Sequence, residues 1–162
     1  MTTTIALNAE LINNLDLSPA VSLIQSWLAT GTIADYEQQL QFAIDYPQDD
    51  ELEFSEIPEV RLWFIRLDSV YPWLPYLLDW RSGELARYAA MLVPHQFSRK
   101  EGIQYNPQAL DIFIMQKVFV LMDWLATQGL TSDHKLKNMA EIFGYDLNSG
   151  LFELLRAYPT PK

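Results

Sequence analysis

The sequence predicts an α+β, helix-rich fold with a small sheet from the N-terminal half and a long central helix near 107–127. Three observations predict it. Leu40 to Tyr46 alternates apolar and polar residues at a period of two, which is strand patterning. Asn106-Pro107 opens a segment whose apolar residues cover most of a helix circumference. At 162 residues, with no internal repeat and no long linker, the chain reads as one domain, 1–162, large enough to bury a core without staples.

Taken in order, Thr2 to Leu7 is short and β-branched, which predicts a strand. Ser18-Pro19 marks a helix start, with Val21, Ile24 and Leu28 at helical spacing and a stop near Gly31. The strand from Leu40 ends at Pro47, and Gln48 to Glu56 follows as an acidic loop. Ser55 and Pro58 open a helix on which Val60, Trp63, Phe64 and Leu67 recur; a strand is the alternative, since Leu62 and Ile65 are also apolar. Pro72 and Pro75 exclude helix interior around Trp73, and Tyr76 to Asp79 suits an edge strand. Gly83 to Val93 reads as a helix closed by Pro94. The long helix runs to about Thr127, stopped by Gly129; it should be central and buried, which leaves Asp123 in need of a partner. Helices from Ser132 to Phe143, stopped by Gly144, and from Ser149 to Ala157 complete the chain.

Composition narrows the function classes. A 49% hydrophobic content argues against a disordered chain. With no cysteine there are no disulfides, no thiolate ligands for zinc or iron–sulfur clusters and no thiol nucleophile. A net charge of -10 repels phosphate backbones and anionic lipid, so nucleic acid is not an expected partner. The acidity is lopsided: residues 1–60 hold eleven Asp and Glu and no Lys or Arg. That stretch is either a solvated face or a docking face for a basic partner. Leu110 to Leu125 carries Asp111, Lys117 and Asp123, which argues against stable membrane insertion, and neither a secretory signal nor a transit peptide is legible. The expected location is cytoplasmic.

Catalytic and cofactor signatures are thin. His95 and His134 lie far apart in sequence, the glycines are isolated, and no phosphate loop or nucleophile elbow occurs. No cofactor or metal is expected. Asp79 and Glu84 flank Arg81 and offer an acid/base pair, though Glu84 and Arg87 also suit an (i, i+3) ion pair on a helix surface. The densest chemistry is aromatic: Trp63, Phe64, Tyr71, Trp73, Tyr76 and Trp80, beside Arg61, Arg66 and Arg81. Aromatics and arginine supply both cores and interface anchors. The candidate recognition surface comprises Trp73, Trp80, Arg81, Arg87, His95 and Gln96, with Trp73 held between prolines and expected to be partly exposed.

The run EIPEVRLWFIRLDSVYPWLPYLLDWRSGELARYAAMLVPHQF, Glu56 to Phe97, resembles the chlororespiratory reduction 6 family. EGIQYNPQALDIFIMQKVFVLMDWL, Glu101 to Leu125, and FAIDYP, Phe42 to Pro47, fit the same family. The resemblance implies a soluble assembly factor, not a subunit, for the photosynthetic NAD(P)H dehydrogenase-like complex, with that complex's iron–sulfur subunit I as client. The absence of a legible transit peptide resembles the cyanobacterial form. No catalytic pattern carries over; the alternative function is a small hydrolase using Asp79, Glu84 or His95. Oligomeric state is not legible.

Overall fold

In the computed structural model, which describes residues 1–130 and 133–158, the expected N-terminal strand forms as β1, Thr3–Asn8. It pairs in parallel with β2, Leu40–Asp45, Thr3 opposite Leu40 and Asn8 opposite Asp45. Alternation sends Ile5, Leu7, Leu40 and Phe42 into the core and leaves Thr4, Ala6 and Ala43 exposed. Two α-helices and a 3₁₀ turn over Ile33–Tyr36 connect the strands. The first, α1 (Ala9–Asn13), has no sequence forecast; Asn8 Oδ1 caps it by accepting from the Leu11 amide at 2.9 Å. The second, α2 (Ser18–Ala29), starts at the Ser-Pro pair and stops before Gly31, whose φ of +69° favours glycine.

Helix α3 (Pro58–Val70) buries the four forecast residues Val60, Trp63, Phe64 and Leu67, so the strand alternative fails. Trp63, Phe64 and Phe42 meet edge to face, with centroids 5.1–5.8 Å apart. Each such pair adds about 0.5–1.5 kcal/mol beyond the area it buries. Trp63 Nε1 donates to the Asp16 carbonyl at 2.9 Å, which satisfies its polar end within the core.

From Trp73 to Leu78 every residue is buried. The edge strand expected over Tyr76–Asp79 contracts to a single parallel bridge, Leu40 to Leu78. The cause is local: Pro75 lies in a 3₁₀ turn over Leu74–Tyr76, and extended chain begins only after it. Helix α4 (Glu84–Leu92) follows, and then an unforeseen antiparallel hairpin of β3 (His95–Ser98) and β4 (Gly102–Tyr105). Sheet structure is therefore not confined to the N-terminal half.

Helix α5 spans Pro107–Thr127, close to its forecast, with Asn106 Oδ1 accepting from the Ala109 amide at 3.0 Å. Its burial is one-sided. Phe113, Ile114, Lys117, Val118, Leu121 and Leu125 are buried, whereas Ile112 is 70% exposed and Phe119 39%. Asp123 is exposed too, so the buried charge of this helix is Lys117 rather than Asp123.

The chain divides into two compact units, Met1–Phe113 and Ile114–Lys162, the boundary falling within α5. The second unit continues with α6 (Asp133–Ile142) and α7 (Ser149–Ala157). The forecast start at Ser132 lies outside the described residues; the stop at Gly144 coincides with a φ of +86°. Leu136, Met139, Ala140 and Phe152 are buried here, and Arg156 pairs with Asp133. The single domain of residues 1–162 stands as a proposal, and one calorimetric transition rather than two is its expected result.

Candidate interaction surface

The segment from Asp79 to Gln96 holds five of the six candidate residues, and its geometry starts at the edge of β2. The Leu40 amide donates to the Leu77 carbonyl, and the Asp79 amide donates to the Leu40 carbonyl, both at 2.8 Å. Beyond Asp79 the chain turns away. Asp79 Oδ1 accepts from the Arg81 and Ser82 amides at 3.1 and 3.2 Å, and Gly83, at φ +87°, admits the turn into α4.

Side chains then continue what the backbone has left. The next outward residue of β2 is Phe42. Its amide donates to the Glu84 carboxylate, and its carbonyl accepts from Arg87 Nη1 at 3.0 Å. Glu84 and Arg87 are themselves paired at 3.2 Å. The (i, i+3) pair thus forms, but not on a helix surface: the Glu84 side chain is 3% exposed and that of Arg87 37%. Burial raises the Glu84 carboxyl above its ordinary range; Arg87 and the Phe42 amide pull it back, and Asp79 pushes it up further. The pair completes a strand edge.

His95 opens the hairpin. Its Nδ1 lies 2.9 Å from the Val93 carbonyl, and its Nε2 lies 2.9 Å from Ser55 Oγ. A carbonyl can only accept, so Nδ1 carries a proton; in the neutral ring Nε2 then accepts from the serine hydroxyl. A serine–histidine pair invites a nucleophilic reading. Ser55 is 2% exposed, however, and the orienting group is a neutral carbonyl rather than a carboxylate. The arrangement pins the hairpin to the turn before α3. Tyr105, opposite His95 in the register, donates to the Ala86 carbonyl at 3.0 Å, and burial pushes its hydroxyl up to about 12. An open hollow of about 390 Å³ is lined by Pro94, His95, Gln96, Gln104, Tyr105 and Asn106, with no charged side chain among them.

The six candidates therefore divide. Arg81 and Gln96 are exposed. Trp80 is half-buried, its Nε1 donating to the Pro75 carbonyl at 2.8 Å. Arg87 and His95 are partly exposed and engaged with Phe42 and Ser55. Trp73 corrects the sequence reading: it is 8% exposed, its ring 5.2 Å from that of Tyr71, and it belongs to the core. Irregular chain has no periodicity from which that burial could be read. Sequence reasoning also missed Ser55 and the Phe42 backbone as partners, because contacts across 40 and more residues leave no local pattern.

Among the described residues, no helix is long and apolar enough to cross a membrane, and no three His, Asp or Glu gather in a way that could hold a metal ion. Stoichiometric metal should be absent from purified protein. Elemental analysis checks this, and bound metal lost on His95→Ala would overturn it.

No solved structure matches the chain. A family model, chlororespiratory reduction 6, matches residues 7–154, covering β1 from Leu7, all of β2, the β3–β4 hairpin, the Asp79–Gln96 segment and the helices into α7. The chain therefore belongs to the chlororespiratory reduction 6 family, an assembly-factor family associated with the NAD(P)H dehydrogenase-like complex rather than an enzyme family.

Proposed function

We infer that this protein is a soluble, cytoplasmic, client-binding assembly factor that holds the iron–sulfur subunit I of the photosynthetic NAD(P)H dehydrogenase-like complex before it joins the complex. The observation that carries this is the family match over residues 7–154 of a 162-residue chain. The chemistry of the chain supports it. Without cysteine the protein lacks the usual ligands for a cluster, which suits shielding a client polypeptide while clusters arrive from elsewhere. The first 60 residues, which hold no lysine or arginine, suit a basic client surface, and Trp80, Arg81, Arg87, His95 and Gln96 form the proposed recognition strip, with Trp73 left in the core.

The hydrolase alternative calls on Asp79, Glu84 or His95. Each has a structural task already: Asp79 closes a turn, Glu84 holds a strand edge, and His95 anchors the hairpin. The assembly reading is the one advanced.

Deleting the protein should lower the amount of assembled dehydrogenase complex without removing a stoichiometric subunit. Tagged protein should recover subunit I from cells in which assembly is stalled. Normal complex abundance with normal incorporation of subunit I in the deletion strain would refute this function.

A further inference from the structure

The β1–β2 pair has one closed edge and one open edge. The Thr3 amide donates to the Gln39 carbonyl at 2.7 Å, and Thr3 stands opposite Leu40. In a parallel ladder this turns the backbone groups of Thr3, Ile5 and Leu7 toward β2. The groups of Thr4 and Ala6 then face away from it. Both residues are exposed, and among the described residues no strand runs along that side. The outer edge of β2 is different: the Leu77–Asp79 backbone covers it at Leu40, and Glu84 with Arg87 covers it at Phe42.

Exposed strand edges are ordinarily blunted by lysine, proline or a bulge. The sequence TTIALN of β1 has no charge and no proline, and it pairs with β2 in unbroken register. Parallel strands are also ordinarily covered on both faces, yet here Thr4, Ala6 and Ala43 lie bare on one. A hollow of about 400 Å³ at the carboxyl ends of the two strands is lined by Ala6, Leu7, Asn8, Ala43, Ile44 and Asp45.

We propose that the outer edge of β1 takes up an extended, basic segment of the client as a third strand; this deepens the assembly-factor reading and rests on it. Charge selects the occupant. Glu10 and Asp45 are exposed at the carboxyl end of the pair, and Asp79 accepts from Thr2 Oγ1 at 3.3 Å at the amino end. A segment along β1 therefore lies between carboxylates, in a stretch of 60 residues without lysine or arginine. A second copy of this chain would set like charges against each other and is the poorer fit. Main-chain bonds to Thr4 and Ala6 supply the grip, independent of client sequence. The bare alanine face lets lysine or arginine stems lie across it toward Asp45.

The test uses the full chain and purified subunit I. Ala6→Pro removes the outward amide without touching the ladder to β2, and Thr4→Lys places a cation on the edge. Each should weaken client binding at least about tenfold while shifting the melting temperature by no more than a few degrees. Client binding should also slow amide exchange at Thr4 and Ala6. Where Ala6→Pro proves unfolded, Thr4→Lys and the exchange measurement decide. A wild-type protein that does not bind the client removes the assembly-factor reading and this proposal with it. Wild-type binding that both variants retain, without exchange protection, overturns the edge proposal alone and leaves that reading standing. A wild-type dimer abolished by Thr4→Lys makes a second copy the occupant and equally overturns it.

Discussion

Trp73→Ala should destabilise the fold by about 3–5 kcal/mol, the usual cost of truncating a buried tryptophan. The side chain is 8% exposed, and Leu74 to Leu78 around it are buried as well, so little solvent can enter the space left behind. The neighbouring proline at position 75 and the 3₁₀ turn over Leu74–Tyr76 make the segment stiff, which limits collapse into the cavity. For a chain of this length the melting temperature should fall by on the order of 10 °C or more. The Tyr71 ring, tilted against Trp73 at 5.2 Å, should become more mobile. Trp80→Ala is the comparison. Its side chain is half-buried and loses one hydrogen bond to the Pro75 carbonyl, so the stability cost should be smaller and any effect on client binding larger. Urea titrations of both variants beside client-binding assays separate the roles. A Trp73→Ala protein with an unchanged midpoint and lost binding would return Trp73 to the recognition surface.

What the sequence made legible follows the range of the interaction responsible. Helix starts at Ser18-Pro19, Pro58 and Asn106-Pro107 depend on residues within one turn, and all three appear where the pattern puts them. The stripe Val60, Trp63, Phe64 and Leu67 was equally readable, because one helix face records burial at a fixed spacing. The β3–β4 hairpin left no comparable signal. His95 to Ser98 and Gly102 to Tyr105 are four residues each, too short for alternation to stand out. Helix α5 misled in a specific way: apolar residues surround it, yet Ile112 and Phe119 stay exposed, so composition overstated its burial. At the candidate surface the residue types were right and the contacts were not legible. Glu84 and Arg87 were recognisable as an ion pair, but nothing local showed that both also serve Phe42, more than 40 residues earlier.

Arg87→Ala should cost about 2–3 kcal/mol at neutral pH, through the strand edge rather than through the helix that carries it. Removing one partner of a buried ion pair costs about 3–5 kcal/mol, and the 37% exposure of Arg87 calls for a smaller figure because water screens the pair from that side. Two losses combine: the Phe42 carbonyl loses its donor, and Glu84, 3% exposed, keeps a charge with only the Phe42 amide to hold it. The pH dependence identifies the mechanism. Burial holds the folded-state pKa of Glu84 above its ordinary 4.5, so the folded protein binds that proton more tightly than the unfolded chain. Stability attributable to Glu84 therefore falls as pH rises from 4.5 through the raised value, and is constant above it. Arg87 opposes the shift by favouring the carboxylate. Without Arg87 the folded pKa rises further, the window extends upward, and the penalty at neutral pH grows. The gap between wild type and Arg87→Ala should thus be widest near pH 7 and narrow as the pH drops toward 4.5, where Glu84 is increasingly neutral in both. Adding Glu84→Gln should recover part of the loss, since the amide oxygen still accepts from Phe42 and no buried charge remains. Denaturant midpoints for wild type, Arg87→Ala and the double variant across that pH range provide the measurement. A gap of constant size at every pH, unrelieved by Glu84→Gln, would mean that Arg87 acts through packing alone and that β2 is not braced by the pair.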